Sequence, residues 1–96
     1  MGAECFTQTA KGATAAVAFK AARDQALYDH GHSGYSGSIA EKTDYVTITL
    51  PPGKTAREYA QELIDVGDPR IDDKWGPAGC IDLGNNLWLF FGWASS

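Results

Sequence analysis

Apolar positions along the chain recur with strand and helix spacings in turn. Residues 3 to 9, Ala-Glu-Cys-Phe-Thr-Gln-Thr, favour an extended state through Phe6 and the threonines, although their alternation is weak. Lys11-Gly12 ends that run. Ala15, Phe19, Ala22 and Ala26 then fall at i, i+4, i+7 and i+11, which predicts a helix from Ala13 to about Tyr28. Thr14 suits its N-cap, and Lys20, Arg23 and Asp24 lie off the apolar stripe. Because the stripe is built of small residues, this helix should sit close against a sheet. His30-Gly31 is suited to end it.

The second half is patterned more sharply. Ser38–Lys42 and Tyr45–Leu50 read as a β-hairpin joined through Thr43-Asp44. Val46, Ile48 and Leu50 alternate with Tyr45, Thr47 and Thr49, and Pro51-Pro52-Gly53 stops the strand. Thr55-Ala-Arg-Glu58 is a capping box opening a helix with Ala56, Tyr59, Ala60, Leu63 and Ile64 on one face, closed by Gly67 and Asp68-Pro69. A polar loop follows to Pro77, with Trp75 expected to fold back and fasten it. Its acids, Asp68, Asp72 and Asp73, lack the EF-hand spacing and read as solvated loop charges. Gly79–Leu83 and Leu87–Trp93 form a second hairpin through Gly84-Asn85-Asn86.

The expected order is therefore β-α-β-β-α-β-β in a single α+β domain spanning residues 1–96. A ferredoxin-like or related arrangement fits it: an antiparallel sheet with two helices on one face. The last strand strains that picture. It carries Leu87, Leu89, Phe91 and Trp93 on one side and Trp88 and Phe90 on the other. A strand apolar on both faces belongs inside a sheet covered on both sides, or at an interface. As an edge it would need a partner, a second copy or another topology to cover it.

Composition narrows the function classes. With 44% hydrophobic residues, three Trp, four Tyr and four Phe, the chain can build a core without metal or disulfides. A net charge of -4 argues against binding a phosphate backbone, so no nucleic acid is expected as a partner. Met1-Gly-Ala-Glu lacks a basic region followed by an apolar run, position 6 lacks the Ser or Thr favoured for myristoylation, and Leu87–Ala94 is too short to span a bilayer. A small acidic cytoplasmic protein without membrane contact is the expectation. Cys5 and Cys80 are expected to be reduced and buried in that compartment, in preference to a disulfide or a shared metal site. No cofactor is expected.

Chemistry, if there is any, would sit in His30-Gly-His-Ser-Gly-Tyr-Ser-Gly37, which holds both histidines and glycines at 31, 34 and 37. Its order, helix then loop then strand, is the reverse of a phosphate-binding loop. His30 and His32 could form an acid/base pair or ligate zinc, with Tyr35 nearby, but a loop of partly exposed polar residues is the simpler reading. No catalytic constellation is evident. The surplus of aromatic groups in the last strand instead nominates Trp88, Phe90 and Trp93 as a partner-binding surface.

Gly31–Lys42, together with Ala18-Phe19-Lys-Ala-Ala22, Tyr28-Asp-His30, Asp68-Pro-Arg-Ile-Asp-Asp-Lys-Trp75 and the closing Phe-Phe-Gly-Trp93, resembles small uncharacterised proteins of bacteriophages that infect actinobacteria. The resemblance covers most of the chain and carries no site residues. It implies an accessory protein acting in host cytoplasm. Three functions follow as expectations: a non-enzymatic protein that binds a host or phage protein, a small-ligand or nucleotide-binding domain (possibly a hydrolase) using loop 30–42, and a self-associating structural or assembly protein.

Overall fold

A computed structural model describes residues 3–30 and 38–95. It comprises strand β1 (Ala3–Lys11), helix α1 (Ala15–His30), a short 3-10 turn (Ile39–Glu41), strand β2 (Tyr45–Thr47), helix α2 (Ala56–Val66), and strands β3 (Ala78–Gly84) and β4 (Leu87–Ser95). The α+β class and the order of elements are as the sequence predicts, with the turn standing where the second strand was expected. The four strands form one sheet in the order β1-β4-β3-β2. β4 pairs antiparallel with β1 and β3, whereas β2 runs parallel to β3.

This topology corrects the expected first hairpin. Ser38 takes an extended backbone and its hydroxyl accepts a hydrogen bond from the Ala40 amide, which opens the 3-10 turn. Ile39 and Ala40 are buried in the core beneath α1, so the segment is held as a plug and not as a strand. The β2–α2–β3 connection is long enough to return the chain in the same direction, and a parallel pair results. The sheet is consequently mixed and not wholly antiparallel.

Helix ends follow the local chemistry. The Thr14 hydroxyl accepts from Val17 N at 3.3 Å, and the Thr55 hydroxyl accepts from Glu58 N at 3.2 Å, as N-caps. Gly67 closes α2 in the left-handed conformation at φ 68°, where the Gly67 amide donates to the Ile64 carbonyl and the Asp68 amide to the Leu63 carbonyl. Asn85 and Asn86 also have positive φ, 55° and 61°, which makes the β3–β4 connection a type I′ turn.

The two helices lie on opposite faces of the sheet, which corrects the expected single helical layer. Side chains alternate along a strand, so neighbouring residues of β4 serve different cores. Phe90 joins Ala78, Cys80 and the α1 residues Ala18, Phe19, Ala22 and Ala26. Leu89 and Phe91 join Ile48, Ile81 and the α2 residues Ala56, Ala60, Leu63 and Ile64. β4 is thus an inner strand, covered on both sides. The strand order accounts for the two apolar faces of its sequence.

Candidate functional site

The residues nominated from sequence as a partner surface are divided between the two faces of β4. Phe90 is wholly buried, with its ring 5.5 Å from Phe19 and 6.0 Å from Tyr45. Trp88 is half-buried on the same face, and its indole N–H donates to the Gly12 carbonyl at 2.9 Å. Trp93 is half-buried on the other face, beside the α2 core and opposite Cys5. All three are explained by the depth of β4 in the sheet. The loop residues His32 and Tyr35 lie outside the described residues, as does the side chain of His30.

The exposed backbone is in β1. Among the described residues this nine-residue strand pairs only with β4, at one end of the strand order. The other edge, β2, has three residues in the ladder. The Gly12 amide donates to the Asn86 carbonyl at 2.9 Å, continuing the register of Lys11 with Leu87. In an antiparallel ladder the inward-bonding residues alternate with outward-facing ones. Glu4, Phe6, Gln8 and Ala10 therefore bond to β4, while Ala3, Cys5, Thr7, Thr9 and Lys11 turn their N–H and C=O groups to the open side.

Side chains divide the same way. Phe6, Gln8 and Ala10 are partly buried beneath α1, whereas Cys5, Thr7, Thr9 and Lys11 are exposed on the face that α2 leaves bare. Along the edge, Gln8 to Lys11 form one wall of a cleft whose other wall is Ala21, Ala22 and Gln25 of α1. α1 also presents Val17 (55% exposed) and Tyr28 (86% exposed) to solvent. Val17, Ala21 and Tyr28 fall at i, i+4 and i+11, a shallow apolar stripe on one side of the helix. An open strand edge next to a helix wall of small residues can accept an extended chain as an added strand.

Several other polar groups hold the fold together. Lys42 is buried, and its ammonium donates to the carbonyls of Asp73 (3.3 Å), Lys74 (3.2 Å) and Gly76 (2.9 Å). Burial pulls its pKa below the usual lysine value, and the charge of Asp73 partly opposes that shift. Together with Ile71, which is buried in the α2 core, this lysine fastens the 68–77 loop. Trp75, expected to do so, is 59% exposed. Asp68 grips Arg70 through two side-chain contacts of 3.0 and 2.9 Å and accepts from the Arg70 amide. Those bonds hold its carboxyl below the ordinary range.

Gly53-Lys54-Thr55 carries the glycine-lysine-threonine end of a phosphate-binding signature. It lies between β2 and the N-terminus of α2, where the second half of a phosphate-binding loop would sit. Ile48 occupies the position where such a loop begins with glycine. The Thr55 hydroxyl is used as the cap, and the Lys54 ammonium pairs with Glu62 and lies 5.7 Å above the Tyr59 ring. The segment is a helix entrance and its polar groups are engaged within the chain.

Cys5 is exposed and Cys80 buried, and both are free thiols. The register puts them on opposite faces of the sheet, Cys5 across from Trp93 and Cys80 across from Phe90. The expectation that both would be buried therefore holds for Cys80 alone. Among the described residues no three His, Cys, Asp or Glu side chains come together as metal ligands. Among the same residues no helix is long and apolar enough to cross a membrane. No family model, curated protein or solved structure matches the chain.

Proposed function

We propose that this protein is a non-enzymatic binding protein that accepts an extended strand of a protein partner at the open edge of β1. The observation that carries the reading is a nine-residue edge whose outward backbone groups have no neighbouring strand among the described residues, beside a cleft walled by α1. Backbone hydrogen bonds would supply affinity, and the α1 wall of Ala21, Ala22 and Gln25 would select the side chains of the incoming strand. On the resemblance to phage accessory proteins, the partner would be a host or phage protein in the cytoplasm. Glu4 and Lys11 at the two ends of the strand serve in any case to discourage indiscriminate edge pairing.

Thr7→Pro tests this reading. Proline removes the outward N–H of residue 7 and leaves the β1–β4 ladder whole, because that ladder uses the even-numbered residues. Displayed random peptides would be selected on immobilised protein at high dilution. The expected outcome is a set of extended binders whose capture is lost on Thr7→Pro and kept on the remote surface variant Val66→Ser. Binders indifferent to Thr7→Pro, or no binders at all, would overturn the assignment to this edge.

A further inference from the structure

We infer that the strand accepted at the β1 edge is β1 of a second copy of this chain, giving a two-fold dimer with one continuous sheet across both copies; the inference rests on the strand-accepting role of that edge. The register of outward groups is self-complementary. An antiparallel pairing centred on Thr7 sets Thr7 against Thr7, Cys5 against Thr9 and Ala3 against Lys11 of the copy. Each of these residues is one whose N–H and C=O face outward, so every outward group of the strand finds a partner. A two-fold axis perpendicular to the sheet preserves its faces, which this pairing of odd-numbered residues requires.

Both α1 helices then lie on the same face of the joined sheet, and their cleft walls of Ala21, Ala22 and Gln25 face each other across the axis. The small side chains of Ala21 and Ala22 leave room for that approach. The threonines and Cys5 make a polar ladder on the opposite face, where cross-strand Thr pairs are favourable.

The size is adequate. Nine residues at ~3.3 Å each give an edge about 30 Å long, and sheet plus helix layer stand about 20 Å high. The contact then covers about 600 Å² per copy, above the threshold of roughly 1,000 Å² in total for a specific interface.

Three variants decide the matter. Sedimentation equilibrium of the wild type should give twice the 10.3 kDa chain mass at high concentration. Thr7→Lys sets two ammonium groups against each other on the axis and should weaken association about tenfold or more while leaving the monomer's circular dichroism unchanged. In a Cys5→Ser background, Thr7→Cys should give a cross-linked dimer under mild oxidation, because directly bonded antiparallel pairs lie about 5.5 Å apart at Cα, within disulfide range. Gln8→Cys in that background, under α1 on the inward-bonding register, should cross-link far less.

A strict monomer would overturn the second copy as occupant, and so would a dimer that ignores Thr7→Lys and fails to cross-link. A strict monomer that still captures extended peptides, and loses them on Thr7→Pro, would leave the edge as a strand acceptor for a different protein. A monomer that captures none would remove both readings together.

Discussion

β1 and β4 have the same length, lie side by side and pair along their full extent, yet they do opposite work. β4 has a strand on each side and a helix over each face, and Leu89, Phe90 and Phe91 are all fully buried. Among the described residues β1 has one neighbouring strand and one covered face, and its side chains alternate between exposed and half-buried from Cys5 onwards. Length and pairing therefore do not set what a strand contributes. Its place in the sheet order does, because that place decides how many of its surfaces are left for water or a partner.

The largest expected difference is in stability. Phe90→Ala empties a site where the ring meets Phe19 and Tyr45, and should cost about 3–5 kcal/mol in urea unfolding. Thr9→Ala, on the exposed face of β1, should change stability by less than about 1 kcal/mol when measured at high dilution. Near-equal effects would mean that β1 is packed against something on its outer face even in the monomer.

A second contrast uses the cysteines, one on each side of this divide. Burial pushes the Cys80 thiol up to about 11 from an ordinary 9.0, with the charge of Asp82 adding to the shift. The folded chain then keeps a proton that the unfolded chain releases, so stability is fully present below pH 9 and is lost as pH rises towards 11. At about 1.4 kcal/mol for each pH unit, the loss is about 2–3 kcal/mol. Lys42 acts in the opposite sense. Its folded pKa is lowered, so its contribution rises as pH climbs through that value towards 10.5. Comparing the slopes of wild type and Cys80→Ala between pH 9 and 11 isolates the thiol, and the variant should lose the alkaline decline it causes. An alkylating reagent at neutral pH should modify Cys5 in the folded protein and spare Cys80.

Much of this was legible in the sequence, and the reasons for the rest are physical. Both helices, their caps and the second hairpin follow from local patterns: the Ala15-Phe19-Ala22-Ala26 stripe, the Thr55–Glu58 box, and the asparagines at 85 and 86. The two greasy faces of Leu87–Trp93 correctly signalled an inner strand. Local pattern could not say that the helices sit on opposite faces, since an amphipathic helix shows which side is apolar and not which face of the sheet it meets. Nor could it reveal that Ser38–Lys42 is a 3-10 plug, because Ile39 and Ala40 suit a buried strand equally well. The β1 edge was missed for a related reason. Openness belongs to the sheet order, and Phe6, Thr7 and Thr9 would read alike in a central strand.

The smallest expected effect tests how independent the two strands are. Asn85 and Asn86 both hold positive φ in the turn that leads into β4. Asparagine tolerates that region better than most residues, but Asn-Gly is the sequence a type I′ turn prefers. Asn86→Gly should therefore stabilise the protein by about 0.5 kcal/mol, raising the midpoint of thermal unfolding by about 2–4 °C for a domain of this size. The gain belongs to the β3–β4 hairpin, whose contacts are local. The β1–β4 pairing joins Ala3 to Ser95 across the whole chain and closes by a separate route. Hydrogen exchange in the variant should slow at the β3–β4 amides that open only on global unfolding, while the outward amides of Thr7 and Thr9 keep their rates at high dilution. If those β1 rates slowed in step, the edge would be protected by the same cooperative core as β4, and the distinction between the two strands would fail.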